Sequence, residues 1–262
     1  MTTSLASRPS LPFATEEATF IARSLRHSVR NIDALIMAIV LPLLLMILFV
    51  FVFGGAIDET GGYVTYVVPG IILLCAGFGA ASTAVDVAND METGIIDRFR
   101  TMRIRSSAVL TGHVVASLVR NLIATGIVIA AAIGVGFRPI AGPADWFAAV
   151  AIVALYILAI TYLFAAIGLA SGSPEAANGY GFILLFLPYV SSAFVPVDTL
   201  PDWLRGFADN QPLTPIIETI RGLLTGTDLE HQPVLAIGWC AAILVASVAW
   251  GTVMFRRKAG RR

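Results

Sequence analysis

Val87–Ser107 reads VANDMETGIIDRFRTMRIRSS, and the rest of the chain is organised around it. It is a densely charged segment between long apolar runs, holding Asp90, Glu92, Asp97, Arg98, Arg100, Arg103 and Arg105. Ile95, Phe99 and Met102 fall at i, i+4 and i+7, with Ile96 beside them, so a short helix here has one greasy side. A small amphipathic helix in a loop between apolar runs is a surface to offer to a partner, a handle on the rest of the chain. The alternative is a solvated positive loop that only fixes topology, since basic loops are the rule on the cytoplasmic side of a membrane.

Outward from this stretch, the apolar runs decide the class. Apolar residues make up 57% of the chain and charged ones 13%, against about 25% charged in an ordinary soluble domain. The runs are near the ~20 residues that cross hydrocarbon as a helix. The expectation is an all-α, polytopic membrane protein. The zero net charge averages a basic side over a mildly acidic one and says nothing about partners; no nucleic-acid partner is expected. Cys75 and Cys240 both lie in apolar runs and read as buried thiols, not as a disulfide or a metal pair.

Residues 1–13 are Ser/Thr/Pro-rich and read as disordered. Residues 14–32 carry a stripe of Ala18, Ile21, Ala22, Leu25, Val29 and Ile32, with Arg23, Arg26, His27 and Arg30 largely away from it. A basic amphipathic helix just before a span lies in the membrane interface, where it touches anionic lipid or a partner. The first apolar run is longer than the about 7–15 residues of a signal-peptide core, so it reads as a retained span. Six spans are expected within residues 33–255, at about 34–55, 63–87, 108–135, 146–170, 176–197 and 233–255, followed by a basic tail at 256–262.

Within the spans, Pro42 is placed to kink the first. Tyr63 and Tyr66 look like an interfacial belt at the start of the second. Pro69-Gly70 weakens the outer half of that span, and Gly77, Gly79, Ala80 and Ala81 permit close helix contact. Arg120-Asn121 is the charged position well inside a span. Such a charge is by default a functional candidate; the alternative is an arginine near the span's end that snorkels to the headgroups. Pro188 and the pair Ser191-Ser192 fall in the fifth span.

Residues 198–232 are too long for a simple link. Leu200–Asn210 reads as a short helix with Trp203, Leu204 and Phe207. Gln211–Leu224 reads as a second, with Thr214 as N-cap, Pro215 at the first helical position, Glu218 and Arg221 paired at i, i+3, and Gly226 after its end. Neither is long enough to span, so together they suggest a re-entrant hairpin.

Lysine and arginine set the orientation. Arg8, Arg23, Arg26 and Arg30 precede the first span; Arg98, Arg100, Arg103 and Arg105 follow the second; Arg256, Arg257, Lys258, Arg261 and Arg262 follow the sixth. The odd-numbered loops hold Arg138, Arg205 and Arg221. Both termini and the organising stretch are therefore expected inside, and the hairpin outside.

Several chemistries are excluded. Lys258 is the chain's one lysine, so no G-x-x-x-x-G-K-[ST] phosphate loop is possible and any nucleotide energy must come from another subunit. His27, His113 and His231 are scattered and suggest no metal site. Ser171 and Ser173 lack a nucleophile context and read as turn residues. No catalytic residues and no cofactor of the chain's own are expected. No series of intramembrane carboxylates suggests a proton-driven pump, and paired broken helices of a secondary transporter are not evident.

Three segments carry a family resemblance: Glu92–Met102 (ETGIIDRFRTM), Ser191–Val197 (SSAFVPV) with Leu200–Leu204 (LPDWL), and Asn210–Thr214 (NQPLT). In this order on six spans they resemble the membrane permease of type-2 ABC exporters, the daunorubicin/doxorubicin-resistance-like group. Arg103 departs from the group, many of whose members have a proline there. The resemblance implies two cytoplasmic ABC ATPase subunits holding ATP and Mg, and a second permease copy or paralogue. Glu92, Gly94, Ile95, Ile96, Asp97, Arg98, Phe99, Arg100 and Met102 would form the coupling helix that meets the ATPase. Residues 16–31 would be the interfacial helix. The transport path would lie where the second and fifth spans meet the dimer partner, with Gly77, Ser82, Leu187 and Ser191, and Arg120 and Asn121, as positions to examine. The implied activity is ATP-driven export of a hydrophobic or amphiphilic drug or lipid-like molecule from the cell. Alternatives are a permease for a polysaccharide or glycolipid, and a non-ABC channel or membrane assembly protein.

Overall fold

A computed structural model describes residues 32–57, 62–93 and 106–259, and every regular element among them is helical. Residues 14–31 of the expected interfacial helix, residues 94–105 and residues 260–262 lie outside the described residues. Helix α1 (Ile32–Ile47) passes into a π-helical stretch, Leu48–Phe53, and ends in the single turn α2 (Gly54–Ile57). The long helices α3 (Tyr63–Glu92), α4 (Ser106–Val135) and α5 (Pro143–Ala170) follow, then the short α6 (Pro174–Leu184). Two 3₁₀ turns, Leu187–Val190 and Val197–Thr199, lead to α7 (Asp202–Asn210), α8 (Leu213–Thr225) and the long α9 (Gln232–Ala259).

Five helices are long and apolar enough to cross a membrane: Ala38–Ile57, Tyr63–Glu92, His113–Val135, Pro143–Ala170 and Gln232–Phe255. The bundle is built on α3, which packs against α1, α4, α5, α6 and α8. Of its most apolar window 72% is buried, against 17% for α9, so α3 is the axis and α9 an outer wall. Close packing on α3 depends on small residues. An ideal Cβ on Gly79 would stand 1.5 Å from Asn121 Oδ1 of α4, and one on Gly70 would stand 2.7 Å from the Ala193 Cβ. Helix–helix approach of this kind is how packing replaces hydrophobic drive inside a membrane.

The expected fifth span, 176–197, is not one helix. Helix α6 has 11 residues, about 16 Å and so half of a ~30 Å hydrocarbon layer. Beyond it the chain breaks at Pro188, whose missing N–H leaves a helical bond unmade. The carbonyls freed by the break find side-chain donors. Gln211 Nε2 donates to Leu187 O (3.5 Å) and to Val190 O. Tyr66 Oη donates to Ser192 O (3.0 Å), and Tyr63 Oη to Phe194 O (2.8 Å). Non-helical backbone at membrane depth is tolerated where protein satisfies it in this way.

Other expectations shift for identifiable reasons. Pro42 and Pro69 lie inside continuous helices. Tyr63 is buried and Tyr66 half-buried, and their hydroxyls donate to protein carbonyls. The second span continues as helix through Glu92, so the charged stretch begins inside α3. The fourth starts three residues early, with Gly142 as cap: its N–H donates to Asp145 Oδ2 (3.0 Å) and Pro143 opens the helix. Helix α8 starts at Leu213, before Thr214, whose hydroxyl instead donates to Ala208 O (2.5 Å) and pins α7 to α8. The two helices of the expected hairpin are unlike: α8 is buried against α5, α9 and α3, while α7 holds Trp203 and Phe207 exposed.

Candidate functional site

The charged segment joins the bundle's central helix to α4, and these two helices are bridged where they approach it. His113 Nε2 of α4 lies 2.9 Å from Asp90 Oδ2 of α3. Glu92 is exposed at the end of α3, and Thr93 Oγ1 donates to Asn89 O (2.8 Å). Gly94, Ile95, Ile96, Asp97, Arg98, Phe99, Arg100 and Met102 lie outside the described residues.

Deeper along the same helix pair is a buried polar seam. Arg120 is 5% exposed and Asn121 fully buried. One guanidinium nitrogen of Arg120 donates to Gly79 O (2.9 Å) and Ser82 Oγ (2.6 Å) of α3. Asp86, one turn further along α3, acts electrostatically on the same guanidinium. Thr83 Oγ1 donates to Ser117 Oγ (3.0 Å), and Asn121 Nδ2 donates to the same oxygen (3.2 Å). Arg120 therefore faces protein, held by α3. Periodicity finds the charge but not its partners; Thr83 and Ser117 join the seam unforeseen, being ordinary small polar residues in apolar runs.

The six positions proposed for a path fall in two places. Ser82, Arg120 and Asn121 meet in the seam around Gly79. Gly77, Leu187 and Ser191 belong to the contact of α3 with the broken segment: an added Cβ on Gly77 would meet Leu185 Cδ2 at 3.2 Å. Ser191 is buried there, its hydroxyl donating to Pro188 O (2.6 Å) and accepting from Ala193 N (3.1 Å). Leu187 packs against the main core.

A second buried arginine ties this contact together. Arg221 of α8 donates through Nε to Tyr66 O (3.2 Å) and through one terminal nitrogen to Tyr66 O (3.1 Å) and Ser192 O (2.7 Å). Its other terminal nitrogen pairs with Glu218, and the guanidinium lies 3.8 Å over the Tyr66 ring centroid. The Glu218 partner is legible from i, i+3 spacing. Tyr66 and Ser192 are not, because they lie 155 and 29 residues away in sequence.

Two further features belong to the site's surroundings. An apolar cavity of about 220 Å³ opens between α3, α4, α5 and α8, its walls including Ile72, Leu122, Trp146 and Ile220. Among the described residues no group of three or more His, Cys, Asp or Glu could hold a metal ion. Cys75 and Cys240 are free and buried, and the Cys75 thiol donates to Ala38 O (3.3 Å).

The family described as ABC-2 type transporter matches residues 16–225. The chain is 27% identical to the daunorubicin resistance ABC transporter permease protein DrrB1 of Streptomyces coeruleorubidus, over 80% of this chain and 77% of that one. It is 23% identical to a Mycobacterium tuberculosis protein named "Probable doxorubicin resistance ABC transporter permease protein DrrC", over 90% of this chain and 86% of that one.

Proposed function

This chain belongs to the ABC-2 type transporter family of multi-pass membrane permeases, and from that premise we propose that it is the membrane subunit of an ATP-driven exporter of hydrophobic or amphiphilic molecules. The observation that carries the mechanism is the position of the charged segment. It joins α3, the axis of the bundle, to α4, and the pair is bridged by His113–Asp90 and by Arg120 on Ser82 and Gly79. A push on residues 94–102 would therefore be delivered to the helix that touches most of the others.

In this reading a separate ABC ATPase holds ATP and Mg, and docks on the greasy side made by Ile95, Phe99 and Met102. The chain crosses the membrane six times. The fifth crossing is the broken segment from Pro174 to Leu200, whose half-helix and 3₁₀ turns are stapled to α3 and α8. Both termini are cytoplasmic, as the lysine and arginine bias argues, and α7 and α8 lie at the outer face. Two copies, or this chain and a paralogue, form the working unit. ATP binding closes the ATPase pair, the coupling segment moves α3 against α4, and cargo taken from the inner leaflet leaves on the outer side. The named activity of the daunorubicin and doxorubicin resistance relatives and the apolar cavity walls support a drug or lipid-like cargo.

The test is a pull-down from mild detergent with the intact chain as bait. A stoichiometric P-loop ATPase should follow the wild type and be lost with Phe99→Asp, while that variant still inserts in the membrane. A clean preparation from the native host with no ATPase would overturn the reading.

A further inference from the structure

The cavity of about 220 Å³ between α3, α4, α5 and α8 is open on its α4–α5 side. Ile72 of α3, Val153 of α5, and Ile220 and Leu224 of α8 are buried and form its floor; Gly126 of α4 and Val150 of α5 are exposed and form its rim. Beyond the rim Ile123 and Ile127 of α4 and Phe147 of α5 are exposed as well. The mouth therefore opens on an apolar surface made by two helices that are long enough to cross a membrane. Gly126 keeps that mouth wide: an ideal Cβ built on it would meet nothing within 4 Å.

The walls decide what kind of guest fits. Their polar side-chain groups are the Thr125 hydroxyl, which donates to Cys75 Sγ (3.9 Å), and the Trp146 indole N–H. A buried water needs about two to four polar partners, and apolar walls without partner atoms forfeit dispersion contacts, so the guest is apolar. The volume exceeds the ~150 Å³ of an engineered apolar cavity that stays dry and takes up benzene. The shape is short. The wall runs from Leu122 to Ile129 on α4 and from Trp146 to Val153 on α5, about 10 Å along either helix axis. One leaflet is deeper than that, at ~15 Å, half of a ~30 Å hydrocarbon layer. A cavity of this height takes a length of one chain from the side and is no passage across the bilayer.

One end of the cavity carries a cation. The loop from α4 to α5 is tied to the wall, because Ile140 N donates to Leu224 O (3.0 Å). Two residues before Ile140 stands Arg138, which is exposed. One of its terminal nitrogens donates to Ile133 O (2.7 Å) and Phe137 O (3.1 Å). Among the described residues it has no carboxylate partner. A guanidinium whose fork is only half used, above an apolar slot, is complementary to a phosphate that carries an alkyl chain. We propose that the cavity holds one acyl chain of a bilayer phospholipid as a resident part of the bundle, with the phosphate of that lipid against Arg138. Apolar walls suit cargo and bilayer chains alike, but bilayer chains adjoin the mouth at all times and the anionic headgroup selects them. The inference goes beyond the permease reading and holds whatever the cargo is.

The experiment uses the full chain, purified with whatever ATPase follows it and held in phosphatidylcholine nanodiscs. A minority of the lipid is phosphatidylglycerol or phosphatidylcholine with a diazirine in the middle of one acyl chain, and adducts formed on irradiation are mapped by peptide mass spectrometry. In the wild type, adducts should concentrate on residues 122–129 and 146–153 above the level at exposed Val245 of α9, which reports bulk lipid. Phosphatidylglycerol should label these stretches more than phosphatidylcholine does. Gly126→Phe places a ring in the mouth and should bring both stretches down to the Val245 level at an unchanged unfolding midpoint. Val150→Trp closes the mouth from the other rim and should do the same, so the result does not hang on one variant's folding. Arg138→Gln touches no wall residue and should abolish the preference for phosphatidylglycerol while chain adducts persist. The resident lipid is overturned if wild-type adducts are no denser than at Val245, if both rim variants label like wild type, or if ATP turnover clears the labelled chain, which would make it cargo. A headgroup preference that survives Arg138→Gln overturns the phosphate contact. An ATPase that copurifies in any of these cases leaves the permease reading standing; its absence brings down that reading separately.

Discussion

Two buried arginines mark two differently built regions. Arg221 reaches across three chain segments and donates to backbone carbonyls, Tyr66 O and Ser192 O, while pairing with Glu218 and covering the Tyr66 ring. Arg120 joins α4 to α3. Its bonds go to a carbonyl of α3 and to Ser82, whose own hydroxyl donates to that carbonyl, Gly79 O (3.0 Å). Around it, Thr83, Ser117 and Asn121 bond side chain to side chain. The first region fixes broken backbone that has no other partner. The second is a row of small hydroxyls and one long cation along two continuous helices, in which partners can be exchanged if the helices slide. The difference assigns stability to the Arg221 end and adjustable contact to the Arg120 end, which is also the end nearer the charged segment.

The largest expected effect follows from removing the fixed staple. Arg221→Ala leaves Ser192 O and Tyr66 O without their cation and strips Glu218 of its partner. Loss of one member of such a buried set costs about 3–5 kcal/mol. Denaturant unfolding in detergent should show this directly, with a lower yield of folded chain. A variant as stable as wild type would break the comparison at its rigid end.

What was legible in the sequence tracks how local the cause is. The helix end at Gly226 and the Glu218–Arg221 pair follow from residues close in sequence, and each is present; so is the all-helical class, with five helices long and apolar enough to cross a membrane. The broken segment was hidden because the run 176–197 is as apolar as its neighbours. Proline alone does not reveal the break: Pro42 and Pro69 sit in continuous helices, and Pro188 does not. What differs is the set of donors waiting for freed carbonyls, namely Gln211, Tyr63, Tyr66 and Arg221, which are 21 to 131 residues from the carbonyls of Val190, Ser192 and Phe194. Likewise Arg120 was visible as a charge in an apolar run, but whether it faced lipid or protein depended on Gly79 and Ser82 of another helix.

A smaller effect probes the closeness of the seam. The Gly79 Cβ position is already filled by Asn121, so Gly79→Ala forces a buried side chain aside and should destabilise by about 1–3 kcal/mol. Asn121→Ala removes the obstructing amide. The double variant should therefore be more stable than the sum of the single changes predicts, a coupling that a double-mutant cycle measures. Additive effects would mean that α3 and α4 already separate at Gly79, and the seam would not be a packed contact.

The smallest stability change is the most informative about movement. Arg120→Lys keeps the charge but replaces a planar fork by a single ammonium on a flexible stem, which cannot reach Gly79 O and Ser82 with the same geometry. The expected loss of stability is about 1 kcal/mol, because one charged hydrogen bond survives. Arg221→Lys should cost more, since its fork serves two carbonyls, a carboxylate and a ring at once. Transport should rank the other way. If the seam shifts in each cycle, then Arg120→Lys slows ATP-driven uptake into inverted vesicles beyond its small stability loss, and Arg221→Lys slows it only in proportion to the amount of folded protein. Should both variants lose transport strictly in proportion to folded protein, the α3–α4 seam would be as static as the staple, and the motion proposed to enter through the charged segment would have to be absorbed elsewhere in the bundle.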